Sequence, residues 1–377
     1  MKWRREWFIR VPWGNLTMVS RGHPDGNPVL LIHGRQDSLS IFEPLIKHMS
    51  EQYYYVAIDM PGNGLSDAFP HGPKLMRFHF LYAMELALIH LGWDNFIFIG
   101  HSMGCEQGLF YNVLYPGQIT KMILLDAGPT LMRMQIEDNA EYQSLFYDPY
   151  YENYKEENIG RKIRYKYMVT DSMQRLRNLS RAQCSHLLTR NFHEIEAENP
   201  EPSNAIQAQS SNMAHGSNEA PNLSEAQNGN RPRDGEEPNE QGRPGNANGQ
   251  ENSETREVEA TKGLIHRTQE HDKVVGYLSW DNRLKNLAPQ NYGNDYYFEL
   301  FKSIPPTLLV AASDGAKNVP NPKWRQGAKE LLDRMATLDN FHRVDVEGSH
   351  DVHYTHPERV LPFINAFLED NKVSSKL

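Results

Sequence analysis

Residues 95–115, NFIFIGHSMGCEQGLFYNVLY, constrain this 377-residue chain more than any other stretch. The apolar run Phe96-Ile97-Phe98-Ile99 meets Gly100-His101-Ser102-Met103-Gly104 and passes at once into a helical pattern, with no linker. A short uninterrupted apolar run rich in aromatic and β-branched residues predicts a strand buried on both faces. A chain that goes from such a strand to a helix without a loop must turn on a single residue, which forces Ser102 into a strained conformation with its hydroxyl presented at the turn. Glycines at 100 and 104 remove the Cβ atoms that would hold strand and helix apart. This context predicts a nucleophilic serine rather than an ordinary helix-capping one.

A nucleophile needs partners, and the flanking segments offer them. Residues 6–19 read as two antiparallel strands with a turn at Trp13-Gly14-Asn15. The run PVLLI at 28–32 is a further buried strand, and it ends in His33-Gly34-Arg35-Gln36-Asp37. A tetrahedral intermediate requires two backbone donors aimed at its oxyanion, so the N–H of Arg35, after a glycine that lets the backbone approach, pairs with the N–H of Met103 as the candidate oxyanion hole. The competing reading makes HGRQD a plain strand-to-helix turn capped by Asp37 or Ser38. His33 is read as a structural hydrogen-bonder. The strand at 54–58 runs into DMPGNGLSD, whose two glycines and proline demand a tight, irregular loop. Ser66 in that loop is a second serine on paper, without the strand-turn-helix context. Residues 78–91 have helical spacing and stop at Gly92, a C-terminal cap position. Another buried strand, 121–125, closes on Asp126.

The ordered set HGRQD, DMPGNGLSD and GHSMG, each at the end of a buried strand, resembles the α/β-hydrolase fold superfamily, and within it the serine hydrolase-like proteins, a branch with insect relatives. The resemblance covers 6 to about 190 and about 262 to 368. It implies a mostly parallel eight-stranded sheet with helices on both faces and an inserted helical cap, with a core at 1–129 and 301–377 and a cap at 130–300. The implied triad runs in the order Ser102, Asp314, His350. Asp314 follows the strand PTLLVAA at 306–312, although the common Gly-x-x-Asp form is absent, and Asp126 is the alternative acid. His350 lies in Gly348-Ser349-His350, beyond the last strand, as base and then acid. A serine in the elbow disfavours chemistry that needs a carboxylate nucleophile. The spacing of His353 and His356 raises a metal site, but no ligand set completes it, so no metal and no cofactor are expected. Asp281 and Arg283, in the stretch at 275–285, are candidates to pair with each other.

Composition adds boundaries. Residues 197–260 are rich in Asn, Glu, Gly, Pro, Ser and Gln and lack aromatic side chains, so they are expected to be disordered, and they explain a mean hydropathy of −0.67. A net charge of −9 without basic clusters argues against a nucleic-acid partner. Two cysteines, Cys105 and Cys184, imply neither a disulfide framework nor a metal site. No apolar run is long enough to span a membrane, and the N-terminus lacks a signal-peptide core. The chain ends in Ser375-Lys376-Leu377, the address read by the peroxisomal import receptor; a peroxisomal location is expected, and otherwise a cytoplasmic one. These readings together predict a serine hydrolase acting on a carboxylic ester or thioester with a small-molecule acyl group. The alternative is a catalytically weak protein of the same fold that binds small molecules or lipids.

Overall fold

The computed structural model describes residues 5–131, 136–158, 161–195, 274–290, 292–315, 317 and 321–370. The insert at 197–260 and the Ser375-Lys376-Leu377 terminus lie outside the described residues.

Eight strands form one sheet: β1 (Arg5–Val11), β2 (Gly14–Arg21), β3 (Asn27–Ile32), β4 (Tyr53–Ile58), β5 (Phe96–His101), β6 (Ile119–Leu125), β10 (Thr307–Ala312) and β11 (Phe341–Val346). Their spatial order is β1-β2-β4-β3-β5-β6-β10-β11. β1 and β2 form an antiparallel hairpin and β2 runs antiparallel to β4, while every other pair is parallel. The hairpin turns on Pro12 and Trp13, one residue earlier than the sequence suggests, because Val11 pairs with Gly14.

The continuous apolar strands owe their composition to burial on both faces. Leu30, Ile32, Phe96, Phe98, Met122 and Leu124 pack into the core on one side of the sheet. Their neighbours Val29, Leu31, Ile97, Ile99, Ile123 and Leu125 pack into the core on the other. The period-2 alternation of a strand thus supplies both layers from one run of residues. The helix His79–Leu91 ends on Gly92 at φ 65°, as the cap signal predicts. The last helix, Pro357–Glu369, opens on Pro357, where a missing N–H costs nothing.

Between β6 and β10 lies the inserted segment. Its described part includes the helices Lys166–Arg177 and Arg181–Asn191 and a small antiparallel sheet of β7 (Ile163–Tyr165), β9 (Val275–Leu278) and β8 (Phe192–Glu194), in the order β7-β9-β8. The second helix starts at a reciprocal capping box: Ser180 Oγ accepts from Gln183 N at 3.2 Å and Gln183 Oε1 accepts from Ser180 N at 2.9 Å. Buried arginines tie this segment to the sheet. Arg190 reaches Asp59 (2.6 Å) and Glu6 (2.7 Å). Arg283 pairs with Asp281, as its neighbour in sequence allows, and also donates to the carbonyls of Phe69 and Pro70.

The elbow helix, Met103–Leu114, leaves β5 with almost no separation. A Cβ on Gly104 would stand 2.1 Å from the Ile32 carbonyl oxygen, and one on Gly100 would stand 2.7 Å from the Cys105 nitrogen. Both glycines are therefore required by backbone contact, not by their own dihedrals. We expect Gly104→Ala to lower stability by about 3 kcal/mol, since a strand carbonyl cannot rotate aside as a side chain would. Gly293→Ala, where nothing lies within 4 Å, should cost under about 1 kcal/mol. Urea midpoints at constant m-value check both.

Candidate active site

Ser102 has φ 52° and ψ −119°, an arrangement that side chains other than glycine rarely adopt, and its side chain makes no capping hydrogen bond to the helix it precedes. The strain is held by Ser102 N–H donating to Leu125 O at 3.1 Å and by the close approach of β3. Gly34 packs against the serine directly: a Cβ there would lie 2.9 Å from Ser102 Cβ. The backbone of Gly34 and Arg35 is thereby brought beside Ser102, and the N–H of Met103, in the first turn of the helix, is one of the four that have no intrahelical acceptor.

His33 and Ser66 have structural roles. His33 is fully buried; its Nε2 accepts from Met60 N (3.0 Å) and its Nδ1 donates to Gly34 O (2.6 Å). Burial lowers its pKa, consistent with the neutral ring that this pair of bonds requires. Ser66 Oγ donates to Asp59 O (2.6 Å) and accepts from Thr17 N (2.8 Å), so its hydroxyl is spent on backbone.

His350, on the loop after β11, is held by Asp126 and not by Asp314. His350 Nδ1 donates to Asp126 Oδ2 at 2.5 Å. Asp126 ends β6 at φ 50°, and its other oxygen, Oδ1, accepts from Ala312 N at 3.1 Å. Asp314 is corrected from its expected place: its side chain is 51% exposed and pairs with Lys317 at 3.2 Å. The reason is geometric. β6 and β10 are adjacent and parallel, with Leu125 opposite Val310, so both strand ends open toward the same loop. The turn Ser313-Asp314-Gly315 then packs Gly315 onto the Asp126 carboxylate, where a Cβ would fall 2.0 Å from Oδ2. The turn that carries Asp314 thus buttresses Asp126, and the Asp314 side chain itself faces away to Lys317.

Further groups surround this pair. Arg177, at the end of its helix, donates to Asp37 (2.6 Å) and to both oxygens of Asp351 (2.8 and 2.9 Å), tying the loops after β3 and β11 to the inserted segment. Burial opposes a charge on Asp351, but Arg177 overcomes it and holds the carboxyl well below its ordinary range. His101 Nε2 donates to His350 O at 3.1 Å. His101 packs between the rings of His350 and His353, tilted to them by 40° and 44°, at centroid distances of 4.7 and 4.2 Å. Burial pushes His353 down to about 3 and His101 well below its ordinary value, so both rings are neutral. Among the described residues neither nitrogen of His353 has a hydrogen-bond partner, which separates it from His350, held by Asp126. Among the described residues no group of three potential ligands could hold a metal ion. Likewise no helix there is long and apolar enough to cross a membrane.

The site opens into a cavity of about 930 Å³. Gly34, Arg35, His101, Ser102 and His350 form its floor, and Met168, Leu176 and Trp280 of the inserted segment contribute apolar wall. Arg177, Asp351 and His101 also belong to this site, beyond the residues expected from the motifs. Asp351 and His101 adjoin the predicted residues in sequence, but only a charge balance between distant loops identifies Arg177.

A strand-turn-helix serine and a histidine held by a carboxylate, on a mostly parallel sheet, define an α/β-hydrolase architecture. The α/β hydrolase fold family matches residues 27–357, and the chain belongs to that family. It is similar to the human serine hydrolase-like protein, with 33% identity over 131 residues, 35% of this chain and 64% of that protein. It is also similar to a probable serine hydrolase of Drosophila melanogaster, 31% identical over 136 residues, 34% of this chain and 40% of the fly protein. The alignments thus span less than two thirds of these relatives. A crystal structure of a hypothetical protein from Pseudomonas aeruginosa PAO1 superposes with a TM-score of 0.64 at 18% identity, covering 96% of this chain and 99% of that one.

Two measurements follow. Burial depresses the His350 imidazole, but the hydrogen bond to Asp126 and the charges of Asp126 and Asp351 outweigh it and hold the pKa above 6.5. NMR titration of the ring should show a pKa above that value, falling below it in Asp126→Asn and staying raised in Asp314→Asn. Arg177→Met should lower stability by about 3–5 kcal/mol at pH 7, because it leaves two buried carboxylates unpaired. The Asp351 carboxyl is depressed in the folded state. Its stabilising contribution is therefore full above the ordinary carboxylate range and is lost as pH falls toward its folded pKa. Denaturation curves of wild type and variant should converge on acidification.

Proposed function

We propose that the protein is a serine hydrolase that cleaves a carboxylic ester or thioester through an acyl-enzyme on Ser102. The observation that carries this reading is the Asp126–His350 hydrogen bond in the same cavity as a serine held in a strained turn. Asp126 occupies Nδ1 and fixes the tautomer, which leaves Nε2 to take the serine proton. In the first half-reaction Ser102 Oγ bonds to the acyl carbon as its proton passes to His350. The tetrahedral intermediate then expels the alkoxide or thiolate, which leaves with that proton. In the second half-reaction water repeats the attack, with its proton passing through His350 to Ser102. Backbone N–H groups of Arg35 and Met103 are assigned to the oxyanion, because Gly34 lets that loop touch the serine.

The inserted segment serves as the cap over this site. Its apolar wall at Met168, Leu176 and Trp280 suits an acyl chain and excludes water from the acyl-enzyme. Asp126→Asn should reduce kcat/KM about 10⁴-fold, whereas Asp314→Asn should change it less than tenfold. A fluorophosphonate probe should label wild-type protein on Ser102 and leave Ser102→Ala unlabelled. Equal labelling of the two would remove the nucleophile assignment. The acylation rate should rise with pH through the raised pKa of His350, because the base acts in its neutral form.

A further inference from the structure

The proposed reaction leaves part of the cavity wall unused. Among the described residues, six cationic side chains line it, Arg35, Arg164, Arg175, Arg177, Lys285 and Lys317, against the three carboxylates Asp37, Asp314 and Asp351. Three of the cations are engaged. Arg177 bridges Asp37 and Asp351, Lys317 pairs with Asp314, and Arg35 Nη1 donates to the carbonyls of Leu284 (3.3 Å) and Lys285 (2.9 Å). Arg164, Arg175 and Lys285 have no ion pair or side-chain hydrogen bond with any described residue.

These three come from separate elements: Arg164 from β7, Arg175 from the helix Lys166–Arg177, and Lys285 from the single-turn helix Asn282–Asn286. Exposed arginines and lysines are ordinarily solvated on open surface. Here the three are exposed but border one concave space, so their like charges add to a field that the cleft focuses. An adjoining recess is basic as well, since Arg164 and Lys285 border it together with Arg161 and Lys162. Neighbours account for that second pair: Arg161 lies over the Tyr277 ring at 5.2 Å and Lys162 pairs with Glu156 at 3.3 Å. The chain as a whole carries a net charge of −9, so the surplus of cations around the cavity is local.

We propose that Arg164, Arg175 and Lys285 form an anion subsite, and that the substrate of the Ser102 site is an acyl ester or thioester carrying a carboxylate or phosphate remote from the scissile carbonyl. The inference rests on the hydrolase reading for the chemistry and adds the recognition. Met168, Leu176 and Trp280 border the same cavity, so the ligand it fits is amphiphilic, with an apolar stem and an anionic end. Arginine offers a planar fork that matches carboxylate and phosphate oxygens, which suits Arg164 and Arg175 to either anion. Hydrolysis breaks the acyl C–O or C–S bond, places the hydroxyl of water on the acyl carbon and its proton on the leaving group. The anion takes no part in the bond changes.

Calorimetric titration of the full chain with octyl phosphate, octanoate and octanol tests binding without requiring turnover. Both anions should bind at least tenfold more tightly than octanol. The double variant Arg164→Glu/Arg175→Glu should lose at least tenfold for the anions with no change for octanol, and Arg164→Lys/Arg175→Lys should keep most of the preference. Octanol binding as tightly as the anions, or charge reversal weakening all three alike, would overturn the subsite. Two kinetic pairs locate the anion. An acyl-CoA compared with the matching acyl-pantetheine reports a phosphate on the leaving group. A dicarboxylic acid monoester compared with the neutral ester of equal length reports a carboxylate on the acyl chain. Preference for the anionic member is expected in one pair, and its absence from both overturns the substrate assignment. Failure of fluorophosphonate to label Ser102 would instead remove the hydrolase reading, so the two failures are distinguishable.

Discussion

The structure depends on backbone contact at one crossing. Gly104 lies against the carbonyl of Ile32, so the elbow helix touches the end of β3 with no side chain between. That contact brings Ser102 and Gly34 within reach of each other. Closeness at this point has a conformational cost, visible in the positive φ of Ser102, and the parallel sheet on either side supplies the rigidity that sustains it.

The site is then completed by charge. Asp126 holds His350, and Arg177 holds Asp351 beside it, so the loop after the last strand is gripped from two sides. Buried charges are tolerated only in such compensated sets, and removing one member exposes the cost of the others. The three-histidine cluster works the other way. His101 and His353 are held neutral by burial, and His101 packs between the His353 and His350 rings, tilted to both.

The inserted segment is tied to these features by charge. Arg177, Arg190 and Arg283 each bond to the sheet or its loops, so the segment that walls the cavity is anchored by the same kind of paired arginine that supports the site. Arg164, Arg175 and Lys285, borne on the same segment, are left to face the cavity.

Local patterns in the sequence determined much of this. The buried strands, the strand-turn-helix at Ser102, the cap at Gly92 and the structural role of the DMPGNGLSD loop follow from apolar periodicity and from glycines where a Cβ cannot fit, and these depend on residues close in the chain. The acid of the histidine pair did not follow. Asp126 and Asp314 both stand at ends of adjacent parallel strands, and a one-dimensional pattern holds no information on which carboxylate turns toward the loop. The positive φ of Asp126 and the packing of Gly315 against it made that choice. Arg177 is of the same kind. Its partners Asp37 and Asp351 lie 140 and 174 residues away, and only the folded chain brings the three charges together.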